Sequence, residues 1–171
     1  ESAHTFEVVL VNNHSSDETA KLAQSCFNEL GSGMLLDVPL KGKGNAIREA
    51  FQKVSADCYV MCDTDMTYPA RQIGDLVGPI LADEADMVVG DRLSNGSYSE
   101  QNHRAFHNFG NRFLRYLVNR LFKSKLSDIL SGYRAFNQKF VKNWPVMSDG
   151  FQIEMEMTLH ALDKRFRIKE V

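Results

Sequence analysis

The 171-residue sequence lacks a long apolar run, has only three cysteines and carries almost no net charge. A membrane-spanning helix needs about 20 predominantly apolar residues, and no stretch approaches that length. Cys26, Cys58 and Cys62 do not have the spacing of a zinc site, so we interpret them as buried, reduced thiols in a reducing compartment. A formal net charge of −2 gives no electrostatic reason to expect binding to nucleic acid.

The length and the composition are those of an ordinary globular protein. Hydrophobic residues make up 43% of the chain and charged residues 25%. A chain of this size can bury an adequate core, and it contains no internal repeat or linker. We therefore predict a single domain over residues 1–171.

Strand-like and helix-like segments alternate along the chain. Short apolar runs typical of buried strands lie at 6–11, 34–38, 59–62 and 86–90. Residues 20–30, 46–54 and 70–82, which separate these runs, have apolar side chains at helical spacing. The alternation predicts an α/β domain with a mainly parallel central sheet, whose ligands gather where the strands end.

Two carboxylates, Asp63 and Asp65, follow the central strand with one residue between them. Bringing like charges together is costly unless a cation joins them. Mg²⁺ and Mn²⁺ prefer oxygen ligands and leave coordination positions open for substrate phosphates. The pair therefore indicates a metal ion that binds a nucleoside diphosphate. The alternative is a solvated acidic turn, because Asp-x-Asp alone is a common pattern.

A basic, glycine-containing turn at Lys41–Ala46 opens the second predicted helix. Glycines allow the backbone to approach a ligand closely, and a helix N-terminus favours anions. The alternative interpretation is a lysine-rich surface turn.

Acidic residues are absent from the stretch 101–127, which carries six arginines and lysines. Phe106, Phe109, Phe113, Leu117 and Leu121 repeat within it at helical spacing. A basic amphipathic helix of this kind can lie on an anionic membrane surface. The alternative is a core-packed helix whose basic face is solvated.

Several short motifs, weak singly, form a specific ordered series. They are residues 7–17, Gly42–Arg48, Asp63–Pro69, Val89–Arg92, Ser131–Arg134 and Lys169–Val171. In this order they resemble family 2 glycosyltransferases of the GT-A fold, especially the branch with dolichol-phosphate mannose synthase and polyprenyl-phosphate glycosyltransferases. The resemblance covers nearly the whole chain. It implies a three-layer, Rossmann-like domain.

The sequence departs from the family pattern in three places. The usual first strand and its nucleoside-binding turn would precede residue 6, and the family continues past Val171, so we expect a fragment trimmed at both ends. Asn12-Asn13 stands where the family usually has Asp-Asp, and by resemblance Asn13 contacts the nucleobase. Thr67 stands where some relatives have a Gln as a further metal ligand, and its hydroxyl is a weaker candidate.

The resemblance also implies a mechanism. Asp63 and Asp65 hold Mg²⁺ or Mn²⁺, with Asp65 counted among the catalytic residues. Lys43 and Arg92 add positive charge at the phosphates of a UDP- or GDP-linked sugar. Arg104 holds the phosphate of a polyprenyl acceptor, helped by Arg112 or Arg134. Because that phosphate is already anionic, it needs little help from a general base, and the transfer is expected to invert the anomeric carbon.

Two rival functions stay open. A GT-A enzyme with a soluble glycan or hydroxyl acceptor would need a carboxylate base, which Asp128, Glu154 or Glu156 would supply. A non-catalytic nucleotide-sugar-binding or scaffold domain would keep the fold without turnover. An exposed apolar stripe on the helix near 104–123 would favour a lipid acceptor. For that function we expect a cytoplasmic protein acting at the cytosolic face of a membrane.

Overall fold

The alternation of strands and helices is confirmed by the computed structural model, which describes residues 4–65, 68–90, 105–150 and 152–171. The strands in these ranges are β1 Val9–Asn12, β2 Met34–Asp37, β3 Cys58–Met61, β4 Met87–Val89, β5 Arg134–Asn137 and β6 Ile168–Glu170. The helices are α1 Thr19–Leu30, α2 Lys43–Lys53, α3 Ile73–Leu81, α4 Ala105–Phe122, α5 Gln138–Asn143 and α6 Ile153–Asp163. A 3₁₀ turn, Ala70–Gln72, precedes α3.

The chain divides into two compact units. The first comprises Glu1–Ser55 and Val146–Ile153, and the second comprises Ala56–Pro145 and Glu154–Val171. The single domain predicted from the length stays a prediction.

The first unit is built on a parallel pair of strands. Val9 of β1 lies opposite Met34 of β2, and the register continues to Asn12 opposite Asp37. Helix α1 packs on β2 and α2 packs on β1. The buried side chains of Ala23, Leu36 and Ile47 come from α1, β2 and α2. Asn12 and Asp37, which end the two strands, are therefore neighbours.

The second unit contains a four-stranded sheet in the order β3-β5-β4-β6. Strand β5 is antiparallel to both β3 and β4, while β4 is parallel to β6. Strands β3, β4 and β6 thus run in one direction and β5 alone runs in the other. Strand β4 is completely buried, as expected for a central strand with covered faces.

The core of the second unit forms where α3 packs against this sheet. Leu76 and Ile80 of α3 meet Val88 of β4 and Ala135 of β5, and Tyr68 packs against this cluster. Their positions agree with the helical spacing predicted over residues 70–82. Burial of these side chains fixes α3 on the sheet.

The cysteine interpretation is wrong in part. No disulfide joins these three described cysteines, but Cys26 and Cys62 are exposed and Cys58 is only half-buried. Cys26 lies on the outer face of α1 and Cys62 lies just beyond the end of β3. Partial burial, together with the negative charge of Asp57, raises the pKa of the Cys58 thiol to about 11.

Candidate functional site

The side chain of Asn13 joins two turns of the first unit. Its amide nitrogen donates to the Leu40 carbonyl at 2.6 Å, and its amide oxygen accepts the Gly42 N–H at 2.7 Å. The turn after β1 is thereby tied to the turn that opens α2. Asn13 acts here as a positioning group, and its contact with a nucleobase stays a prediction.

The glycines of the basic turn lie against backbone of their own unit. Gly42 has a φ of 125°, which side chains rarely adopt. A Cβ added to Gly44 would lie 1.8 Å from the Ser148 carbonyl oxygen, and the Gly44 N–H donates to the Asp149 carbonyl at 3.1 Å. Close packing of the chain thus accounts for Gly44. The role of half-buried Lys43, at the first position of α2, stays a prediction.

The paired acids follow β3 in the second unit, as predicted. Strand β3 ends at Met61; Asp63 is half-buried and Asp65 is exposed. The ranges that the structure describes contain no group of three His, Cys, Asp or Glu side chains able to hold a metal. Two carboxylates nevertheless suit Mg²⁺ or Mn²⁺, because these ions keep waters and take the oxygens of substrate phosphates. The donor set therefore fits the predicted metal.

Tyr68 anchors the segment that carries these acids. Its hydroxyl oxygen accepts the Gly132 N–H at 3.0 Å and the Ser131 hydroxyl at 3.4 Å. Its ring stacks on Tyr133 with centroids 4.9 Å apart, and the Tyr133 hydroxyl donates to the Pro69 carbonyl at 3.2 Å. Burial raises the pKa of Tyr133, so it remains a neutral donor near neutral pH. The loop before β5 therefore holds the loop after β3.

This pairing was missed from the sequence. Tyr68 and Ser131–Tyr133 each belong to a motif quoted above, but they are separated by more than sixty residues. No local pattern shows that they touch.

Arg134 is a structural residue, which contradicts its suggested contact with an acceptor phosphate. It is fully buried. Its guanidinium donates to the Ser131 and Ile129 carbonyls at 2.7 and 3.0 Å, and to the Thr158 hydroxyl at 2.9 Å. These bonds fix the loop that leads into β5.

The candidate base residues are likewise engaged within the fold. Asp128 is buried and accepts the Leu130 N–H at 2.9 Å. Glu154 is buried at the start of α6, and Glu156 accepts the Trp144 indole N–H at 3.1 Å. A general base must reach the proton that it removes. These positions do not favour a hydroxyl acceptor.

Helix α4 presents apolar side chains to solvent. Phe113, Leu117 and Leu121 are 58%, 39% and 67% exposed. The exposed stripe that a lipid acceptor would require is therefore present. Among the described helices, none combines the length and the apolar character that a membrane span requires.

Three predicted site residues lie outside the described residues: Thr67, Arg92 and Arg104. Of the others, Asn13 and Lys43 belong to the first unit, and Asp63 and Asp65 belong to the second. The roles assigned to all seven stay predictions.

Comparison with known proteins extends the resemblance. Residues 2–144 match the model of glycosyl transferase family 2. Glycosyltransferase AglJ of Haloferax volcanii is 32% identical over 158 residues, covering 90% of this chain and 48% of that protein. Dolichol-phosphate mannosyltransferase of Pyrococcus furiosus is 26% identical over 159 residues, covering 90% and 44%. The chain thus spans about half the length of these relatives.

A solved structure supports the same fold. Glucosyl-3-phosphoglycerate synthase from Mycobacterium tuberculosis, in complex with Mn²⁺, UDP and glucosyl-3-phosphoglycerate, matches with a TM-score of 0.71 at 21% identity. The match covers 96% of this chain and 58% of that one. The predicted GT-A fold is confirmed, and at this identity the likeness concerns the fold alone.

Proposed function

Because the chain belongs to glycosyl transferase family 2, we propose that it transfers a sugar from a nucleotide-sugar to a polyprenyl phosphate of the dolichyl type. The transfer is metal-dependent, inverts the anomeric carbon, and takes place at the cytosolic face of a membrane. The donor is a UDP- or GDP-linked sugar. Dolichol-phosphate mannosyltransferase, a relative that aligns over 90% of this chain, supports the lipid acceptor.

The observation that supports binding of the nucleotide-sugar donor is the pair of carboxylates that follows β3, on a segment held by Tyr68. Asp63 and Asp65 hold Mg²⁺ or Mn²⁺, and Thr67 is a weaker further ligand. When bound, the cation neutralises the charge that develops on the leaving nucleoside diphosphate. Carboxylates held in place before the donor binds would need little reorganisation during the reaction, and the Tyr68 contacts three residues after Asp65 support such an arrangement.

The remaining roles belong to cationic side chains. Lys43 supplies a point charge at the donor phosphates, and Arg92 supplies a planar group suited to bidentate phosphate contact. Arg104 holds the acceptor phosphate near the sugar. That phosphate attacks as an anion, since the second pKa of a phosphomonoester is about 6. The reaction therefore needs no carboxylate base, in agreement with the engagement of Asp128 and Glu156 within the fold.

The proposal of a lipid acceptor is supported by the exposed apolar face of α4. An apolar stripe formed by Phe113, Leu117 and Leu121 suits contact with a lipid acceptor better than contact with a soluble one. For this reason we favour the lipid over a soluble glycan or hydroxyl acceptor.

The experiment compares Asp65→Ala with Asp57→Ala, which removes an exposed carboxylate at the other end of β3. UDP and GDP, free and sugar-linked, are titrated into each protein by calorimetry with and without Mn²⁺. Transfer to a short-chain polyprenyl phosphate is measured in parallel. We expect Asp65→Ala to lose Mn²⁺-dependent binding and transfer, by about a hundredfold or more, and Asp57→Ala to keep both.

Two results would contradict the proposal. Unchanged metal-dependent binding and transfer in Asp65→Ala would refute the metal assignment. Absence of heat and of thermal shift with every nucleotide in the unsubstituted protein would support a scaffold role instead.

A further inference from the structure

The carboxyl ends of β1 and β2 lie side by side in the first unit and carry a polar pair. Asn12 and Asp37 are directly opposite each other in the parallel register. The Asn12 amide nitrogen donates to a carboxylate oxygen of Asp37 at 2.7 Å, and the Asn12 amide oxygen accepts the Ser15 N–H at 3.2 Å. Asn12 is buried and bound on both sides, so it fixes the place of the Asp37 carboxylate.

Asp37 keeps most of its capacity to accept hydrogen bonds. Its side chain is exposed. Within the ranges that the structure describes, the carboxylate makes no hydrogen bond or ion pair besides the one from Asn12. A carboxylate has about four lone-pair sites, and one such bond leaves about three of them for a ligand. The group therefore suits a ligand that presents two N–H donors side by side.

Asp37 belongs to the part of the first unit to which the proposed function assigns the nucleotide. The turn that follows it contains Leu40 and Gly42, and the Asn13 amide binds both of their backbone groups at 2.6 and 2.7 Å. Lys43, the first residue of α2, is the proposed cation at the donor phosphates. Because the Asn13 amide is engaged by this turn, the exposed Asp37 carboxylate is the better candidate for contact with a nucleobase.

We propose that Asp37 selects the base of the sugar donor, and that this base is guanine. The proposal rests on the proposed function and names the nucleotide of the same site. The Watson–Crick edge of guanine carries two adjacent donors, N1–H and the 2-amino group, which match the two oxygens of a carboxylate. Uracil presents one N–H between two carbonyls, and the carbonyl oxygens repel a carboxylate. Asp37 therefore favours a GDP-linked sugar over a UDP-linked one.

Calorimetric titration in the presence of Mn²⁺ tests the proposal on the unsubstituted protein. The probes are GDP, UDP, inosine diphosphate and xanthosine diphosphate. Inosine lacks the 2-amino group of guanosine, and xanthosine has a carbonyl in its place. We expect GDP to bind about tenfold or more tightly than UDP, because a pair of hydrogen bonds to one base edge discriminates by at least that factor. Inosine diphosphate should lie between them.

Asp37→Asn changes the chemistry of the group while keeping its size and an acceptor for Asn12. Its amide nitrogen can donate to the 2-carbonyl of xanthine but meets the 2-amino group of guanine donor to donor. We expect the affinity for GDP to fall about tenfold or more, the affinity for xanthosine diphosphate to rise, and the affinity for UDP to change less than about threefold. A purely structural role would weaken all four diphosphates alike.

The matched control is Glu29→Gln, which removes an exposed carboxylate from α1 of the same unit. It should leave the order of the four affinities unchanged. Circular dichroism checks that both variants are folded.

Three results would overturn the role of Asp37. They are equal affinities for GDP and UDP, tighter binding of UDP, and a proportionate loss of all four ligands in Asp37→Asn. Each of these results keeps Mn²⁺-dependent binding of a nucleoside diphosphate, so the transferase proposal survives it. An unsubstituted protein that binds none of the four probes would overturn both proposals, and the two failures are therefore distinguishable.

Discussion

The side chains of Asn12 and Asn13, predicted to replace two carboxylates of the family pattern, each donate an amide N–H to a nearby oxygen. The Asn12 amide nitrogen lies 2.7 Å from a carboxylate oxygen of Asp37, and that of Asn13 lies 2.6 Å from the Leu40 carbonyl. A carboxylate has no proton to donate near neutral pH, so aspartate at either position would bring two oxygens into contact. The amides therefore match the local structure of the first unit.

We predict that Asn13→Asp lowers the free energy of unfolding by about 1 kcal/mol, because the hydrogen bond to Leu40 becomes a repulsive contact. Urea denaturation measures the change. Asn28→Asp is the control: it adds the same charge on exposed α1, where the Asn28 oxygen only accepts a bond from Gln24. Equal urea midpoints for the two variants would contradict a positioning role for Asn13.

His160 is a titratable residue placed among aromatic rings. Its Nε2 atom is buried and has no hydrogen-bond partner in the described part of the chain. The rings of Phe140 and Phe166 lie with centroids 5.8 Å from the imidazole. Burial, reinforced by the positive charge of Lys164, lowers the pKa of His160 from its ordinary value of 6.5.

This shift predicts that the protein loses stability in mild acid. Below pH 6.5 the unfolded chain takes up a proton that folded His160 resists, so the unfolding free energy falls as the pH falls below about 6.5. The slope should be a fraction of the about 1.4 kcal/mol per pH unit that one proton can contribute. Urea unfolding at several pH values should show a smaller slope for His160→Leu, and an unaltered slope for His4→Leu, which replaces an exposed histidine. Parallel curves for all three proteins would rule out the effect.

At the scale of elements, the loop after β3 depends on the loop before β5. Strands β3 and β5 pair antiparallel, with Met61 opposite Arg134, so the end of β3 lies beside the start of β5. The Tyr68 hydroxyl and ring then join the two loops. Tyr68, which follows the predicted metal ligand Asp65 by three residues, is thus held by a neighbouring part of the sheet.

Removing one oxygen atom tests this support. Tyr68→Phe deletes the acceptor of the Gly132 N–H, and we expect a loss of about 1 kcal/mol in unfolding free energy. If the carboxylates are held through Tyr68, Mn²⁺-dependent UDP affinity should also fall, roughly threefold to tenfold, at temperatures where the variant is fully folded. Tyr116→Phe, at an exposed tyrosine of α4, should change neither quantity. Lower stability with unaltered affinity would leave Tyr68 a purely structural residue.

The same scale shows what the sequence could predict. Periodicity located β1–β4 and α1–α4 well because one buried face imposes a local spacing. It did not reveal that β5 enters between β3 and β4 in the opposite direction, because strand pairing depends on contacts distant along the chain. The acids after β3 were predicted because they directly follow an apolar run that local periodicity identifies. The Tyr68 anchor was missed because its partners lie more than sixty residues further along the chain. The exposure of Cys26 and Cys62 was missed because a cysteine's average burial says little about one position.

At the scale of the whole molecule, the first unit is discontinuous in sequence. Residues 146–153 belong to the first unit although the ninety residues before them, 56–145, belong to the second. Two hydrogen bonds hold this segment: the Arg48 guanidinium donates to the Val146 carbonyl at 2.8 Å, and the Gly44 N–H donates to the Asp149 carbonyl. The basic turn and the start of α2 are therefore completed by a segment distant in the chain.

Gly44→Ala should disrupt the packing of residues 146–153 against the start of α2. The added methyl group would lie 1.8 Å from the Ser148 carbonyl oxygen, and because the obstacle is backbone, the whole segment must move. We expect the unfolding free energy to fall by about 2 kcal/mol or more, measured by urea denaturation. The control, Gly110→Ala, adds the same methyl group inside α4, where nothing lies within 4 Å, and should stabilise the protein by up to about 1 kcal/mol. Opposite signs for one identical chemical change would establish that Gly44 is required by the packing of residues 146–153. Two small changes of the same sign would leave ligand approach as the reason for glycine at this position.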